Sequence, residues 1–382
     1  MRTPRPDLVV SGQVVVAARP DGLETAEAVG IADGRVVAVG PRHEVAEAAA
    51  PGARVIDAER AAVVPGVHDF HLHLVGMARA RRTVRLEDAA DFADVLGRAA
   101  AAARELEPDA WLTGRGWSEA TLDHAALDRL EAAVGERPCF LTSHDGHSAW
   151  ASAAARRLGR IGPGSSDPAG GRIERDVHGA PTGVLRETAM EPVATAADRL
   201  RGEMLWAAVD ETLRDLAALG ITGASEAGDY TDENGVGPYA AMGDSFSSLA
   251  EHAERIDGRL RLTLGIPADA LAAAAELGLQ TGAPFAGTTT LRFGWAKEYA
   301  DGALGSRTAA LFAPYSCGDD ADAGILRVPS DELDGLFAAA RPARIGVAVH
   351  AIGDRANAAV LDAVERSAPR AAGVPLDRLE HA

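Results

Sequence analysis

Cysteine is nearly absent: 382 residues hold only Cys139 and Cys317, far apart and without CxxC spacing. That excludes a thiolate metal cluster or a disulfide framework, so any bound metal is expected on nitrogen and oxygen ligands. No stretch approaches about 18 uninterrupted apolar residues, and no apolar segment follows the two arginines of residues 1–6, so neither a membrane span nor a leader is expected. The chain reads as cytoplasmic. Basic clusters are missing as well, and a formal net charge of -18 works against nucleic acid or anionic lipid as partners. No GxxxxGK phosphate loop occurs. What remains is a globular chain, 47% hydrophobic, with room for one large domain and a small one.

Residues 8–58 carry short β-like runs, LVVSGQVVVAA, EAVGIADGRVVAVG and ARVIDA, with Asp-Gly pairs that favour tight hairpins. They predict a small β domain over residues 1–62, a partial β-sandwich. Pro65-Gly66 then breaks the chain, which places a domain boundary near Val63. Residues 91–106 are alanine-rich and predict a helix. AWLTGRGW and PCFLTS predict strands, and glycines at turn spacing make residues 167–187 a hairpin excursion. From about residue 203 onward strands and helices alternate, as parallel βα units do.

The run VVPGVHDFHLH at residues 63–73 sets His71 and His73 two apart. On a strand, both imidazoles and Asp69 share one face, while His68, Phe70 and Leu72 turn toward whatever packs behind. Three later strand ends carry Lys297, His350 and His381. Parallel βα units bring their strand ends to one rim, where barrel active sites are built. Lys297 is the odd member, because a cation beside a metal must lose its charge or find an anion. It reads either as a lysine paired with an acid such as Asp301, or as a neutral buried amine able to take up carbon dioxide as a carbamate. His144, Asp145 and His147 read as an Asp-Gly turn, with ligands or substrate contacts as alternatives.

PGVHDFHLH, WAKEYADGALGSRTAALFAPY, VAVHAIGDRA and RLEHA resemble, in order and spacing, successive motifs of the amidohydrolase superfamily, in its Amidohydrolase-3 branch of YtcJ-like proteins and N-substituted formamide deformylases. RPCFLTSHDGHSAW and GGRIERDVHGAPTGVLRE resemble that branch's insertion, here at about residues 105–200. The resemblance implies an α/β fold, a (β/α)8 metal-dependent hydrolase barrel over residues 63–382. It implies His71 and His73 on one divalent metal, Lys297 as a bridging carbamate, and His350 and His381 on a second, zinc being the expected ion. It also implies Asp145, His147, Glu226 and Arg307 as substrate contacts, and hydrolysis of an amide or N-formyl C–N bond in a small molecule by a metal-bound hydroxide.

Barrel strands are expected from Val63, Ile221, Arg259, Leu291, Ile345 and Asp377. The resemblance further implies two more strands, roughly 60 residues, and a strand-eight aspartate that shuttles the proton; neither is present in this sequence. The expectation is an incomplete barrel with an unidentified catalytic base. A truncated, non-catalytic metal-binding chain, or one completed by a partner or by homo-oligomerisation, is the alternative.

Overall fold

The computed structural model describes residues 4–20, 22–107, 110–197, 202–228, 239–285, 287–316 and 322–382. Cys317 lies outside the described residues, and Cys139 is a buried free thiol. Contacts divide the chain into two units, 1–67 and 68–382.

In the first unit, β1 (Leu8–Arg19), β2 (Gly22–Ala32), β3 (Arg35–Gly40) and β4 (Arg54–Val63) form one sheet in the order β3-β2-β1-β4. The β2–β3 hairpin closes through Asp33 and Gly34, at φ 49° and 71°. Such a turn needs two positive φ values, which Asp-Gly tolerates. β4 runs parallel to β1, and Val9, Ala28 and Val45 make a small core. The break at Pro65-Gly66 separates β4 from β5 (Val67–Leu72), and the units divide just after it, at Val67 rather than Val63.

The second unit holds two sheets. β6 (Val84–Arg85), β7 (Leu112–Trp117), β8 (Cys139–Ser143), β9 (Ser148–Ala151), β10 (Gly171–Arg175) and β11 (Pro181–Glu187) form a mixed sheet ordered β10-β11-β9-β8-β7-β6. It begins before the expected insertion at 105, because the two residues of β6 are too few to show a period. The predicted helix spans Phe92–Glu105 and starts where the Asp91 carboxylate accepts Asp94 N–H at 3.0 Å. It buries Val95, Ala99 and Ala103 in a cluster with Leu112, Leu130 and Leu141.

The other sheet continues β5 with β12 (Ile221–Glu226), β13 (Arg261–Pro267), β14 (Leu291–Tyr299), β15 (Val347–His350) and β16 (Arg378–Glu380), in the order β16-β15-β14-β13-β12-β5. The pairs from β12 to β16 are all parallel. Every strand starts within four residues of its expected position. Helices Gly202–Ala218, Ser330–Ala343 and Asp354–Arg366 cover its outer face, and Leu213, Leu264, Phe293, Phe337 and Val360 share one core. This is a curled α/β barrel wall. Its edge strands meet: the Arg378 guanidinium donates to the Phe70 carbonyl at 3.0 Å and stacks on the Phe70 ring. Phe70 is therefore 65% exposed instead of buried as expected, since β5 is an edge strand and only Leu72 reaches the core. Among the described residues no helix is long and apolar enough to cross a membrane.

Candidate active site on the barrel rim

β5 ends at Leu72, and His73 opens the following helix, Leu74–Ala80, with φ −113°. The turn is held from two sides. Asp69 accepts the His71 N–H at 3.0 Å, and Glu226, at the end of β12, accepts the Leu74 N–H. From there a row of imidazoles runs along the rim. Ring centroids are 5.3 Å apart for His73 and His71, 4.5 Å for His71 and His381, 4.8 Å for His381 and His350, and 4.9 Å for His350 and His147. All five line one cavity of about 530 Å3.

Burial, reinforced by the charges of His71 and Lys297, lowers His73 to about 3. Burial lowers His381 to about 4, with His71 and Lys297 adding to it. For His350, burial outweighs the opposing hydrogen bond to the Gly302 carbonyl and lowers it to about 2. At neutral pH these three rings are uncharged and carry lone pairs.

Lys297 ends the same rim on β14, 2% exposed, its Nζ 4.7 Å from the Tyr299 ring centre. Among the described residues Nζ makes no hydrogen bond. The pairing with Asp301 does not form. Asp301 is fully buried and accepts the backbone N–H of Gly353, Ala310 and Ile352 at 2.7, 2.8 and 3.0 Å, pinning the two loops that follow β14 and β15. Burial lowers Lys297 to about 8, with Glu380 pulling the other way. Asp301→Ala strands three buried donors, each worth about 1 kcal/mol or more. The expected result is a loss of roughly 3 kcal/mol in chemical denaturation, and a midpoint equal to the parent's contradicts this anchoring role.

The mixed sheet supplies the facing wall. Asp145 accepts the Ser143 hydroxyl at 2.5 Å and the His147 N–H at 3.0 Å, so HDGH is the predicted turn and a cavity wall at once. The His147 Nδ1–H donates at 3.0 Å to Glu187, which is 2% exposed and also accepts from Arg327 at 3.1 Å. This leaves His147 Nε2 for the cavity.

Glu226 and Arg307, expected as substrate contacts, sit elsewhere among the described residues. Glu226 is buried on the Leu74 amide, where a helix start attracts a carboxylate. Arg307 adopts φ 56° in the Ala303–Thr308 turn, outside the cavity lining; Arg186 fixes that turn by donating to the Ser306 carbonyl at 2.7 Å. Two residues not anticipated are Glu187 and Glu380. The latter accepts from His71 Nδ1, and although burial raises its pKa, that bond and Lys297 bring it below its ordinary value. Its place beside His381 in RLEHA was the available signal.

Residues 54–382 match the profile of the amidohydrolase family. The chain belongs to the amidohydrolase family. Amidohydrolase YtcJ of Bacillus subtilis (strain 168) is 30% identical over 369 residues, covering 93% of this chain and 65% of that protein. The N-substituted formamide deformylase of Arthrobacter pascens is 33% identical over 211 residues, covering 53% of this chain and 39% of its own length. The chain thus spans just under two thirds of the length of YtcJ. A metal-dependent hydrolase from Pyrococcus horikoshii OT3 aligns over 94% of this amidohydrolase chain and 68% of its own, with TM-score 0.66 and 22% identity. A second, from Pyrococcus furiosus, gives TM-score 0.63 and 23% identity over 94% of this chain and 70% of its own. These two likenesses show a shared barrel fold.

Proposed function

We propose that this amidohydrolase chain carries a divalent-metal site that hydrolyses a C–N bond of amide or N-formyl type in a small molecule. The observation that carries the reading is the convergence of His71, His73, His350 and His381, with a Lys297 amine that makes no hydrogen bond among the described residues, at the ends of four strands of one sheet. The donor set fits such an ion chemically. Three uncharged imidazoles offer lone pairs, and the Lys297 amine, lowered to about 8, gives up its proton more readily than an exposed lysine, in a cavity where burial disfavours added protons. Among the described residues no three His, Cys, Asp or Glu side chains are already drawn tightly enough to hold an ion.

When bound, the ion supplies a Lewis acid for the carbonyl and a water of lowered pKa, with zinc suiting imidazole and oxygen ligands. His71 and His73 would hold one ion at the end of β5, and His350 and His381 a second at the ends of β15 and β16. Glu380 fixes the His71 ring by accepting a hydrogen bond from its Nδ1–H, and so presents Nε2. Once deprotonated, the Lys297 amine would take up carbon dioxide, forming an N–C bond and releasing one proton, and as a carbamate it would offer an anionic ligand in place of a cation. His147, oriented by Glu187, is the side chain positioned to hold the proton that the leaving amine takes up.

The test is turnover of a panel of N-formyl and N-acyl amines by the zinc-loaded chain, with released acid and amine both quantified. Stoichiometric acid and amine, lost on chelation and restored by zinc, is the expected result. Turnover that survives complete chelation sinks the reading, and tight zinc binding without turnover favours the non-catalytic alternative.

A further inference from the structure

Several arginines near this cavity are matched with acids. Arg79 meets Asp244 at 2.5 Å, Arg327 meets Glu187 at 3.1 Å, and Arg186 is held by Glu119 and Glu174 at 2.8 and 2.7 Å. Arg85, directly beside Arg115 in the β6–β7 register, lies 3.8 Å from Glu87. Arg115 itself lines the cavity and, among the described residues, has no carboxylate within ion-pair distance.

The fold aims it there deliberately. Along β7, Leu112 and Gly114 are buried while Thr113 and Arg115 lie on the half-buried face, and Arg115 pairs with Thr142 of β8, another lining residue. The register then slips at Gly116, whose φ of 108° suits glycine, so that Trp117 turns into the core and donates to the Leu141 carbonyl at 2.7 Å. Arg115 is left facing the rim, and its charge is one of those acting on His73. The lining carboxylate, Asp145, is already engaged by Ser143 and the His147 amide.

A half-buried guanidinium costs free energy unless an anion meets it, and its planar fork matches a carboxylate in two parallel hydrogen bonds. We propose that Arg115 receives a carboxylate of the substrate, so that the compounds processed here are N-acyl or N-formyl compounds carrying a carboxylate, such as N-acylated amino acids. This rests on the hydrolase reading for the bond broken, and on Arg115 alone for the anion. Arg115 is then the specificity residue, and one arm of the cavity is set by charge.

The experiment compares N-formylalanine, in both enantiomers, with N-isopropylformamide, in which a methyl group replaces the carboxylate. Kd is measured by calorimetry and kcat/KM by product release, using the zinc-loaded parent chain, Arg115→Gln and Arg115→Lys. The parent is expected to prefer the carboxylate compound at least about 30-fold. Losing one partner of a hydrogen-bonded charge pair costs about 30-fold or more, so Arg115→Gln should bring the two compounds within about twofold of each other, with Arg115→Lys between. No preference in the parent, no binding of either compound, or a preference that survives Arg115→Gln overturns the proposal. Arg115-dependent binding without turnover of either compound upholds it and removes the hydrolase reading; turnover without preference does the reverse.

Discussion

Lys297→Met is expected to make the metal-free chain more stable at pH 7 while eliminating metal loading. The amine is 2% exposed and makes no hydrogen bond among the described residues, so the pull of Glu380 and the Tyr299 ring offset only part of its lost hydration. Burial takes its pKa from 10.5 to about 8. The sign follows from proton binding. Between pH 8 and 10.5 the unfolded chain holds a proton that the folded chain has released, so stability rises with pH across that window. Below it, the buried charge costs the folded parent about 3 kcal/mol. Methionine fills similar volume without charge, so chemical denaturation in chelator should show the variant ahead by up to that amount at pH 7 and level with the parent near pH 10.5. Equal stabilities at both pH values contradict a buried amine whose lost hydration is only partly offset. In zinc the order should reverse, since the parent gains binding free energy that the variant lacks.

His350→Asn is expected to cost about a thousandfold or more in kcat/KM, because an ion that polarises the carbonyl is worth several kcal/mol in the transition state. His350 is 3% exposed and central, with the rings of His381 and His147 at 4.8 and 4.9 Å and Tyr299 at 5.5 Å. Its Nε2–H donates to the Gly302 carbonyl at 3.0 Å, which leaves Nδ1 for an ion. Asparagine retains a donor for Gly302 but is shorter, so folding should survive while the ligand is lost. His252→Asn is the control: its ring packs on Trp206, outside the cavity lining, and the substitution should leave kcat/KM within about twofold of the parent. A His350→Asn variant that keeps its zinc and its rate contradicts the site.

The barrel strands were legible because each is a short apolar run bounded by helix and turn signals, and His71, His73, Lys297, His350 and His381 were legible as polar residues at or just beyond their ends. The contacts between elements were not. His147 meets Glu187 across 40 residues, and His71 meets Glu380 across 309, distances over which periodicity carries no information. Arg115 sits in a GRGW run that reads only as strand, and the bulge at Gly116 decides which face it takes. Glu226 and Arg307 came from resemblance alone; their backbone settings, a helix start and a left-handed turn, place them away from the cavity lining.

The most direct measurement is zinc bound per chain at equilibrium, for the parent and for Lys297→Met and His350→Asn side by side. Stoichiometric zinc in the parent and a large loss in both variants is the expected result. Zinc binding in the variants that matches the parent, or a parent that binds none, contradicts a metal site built from these strand ends.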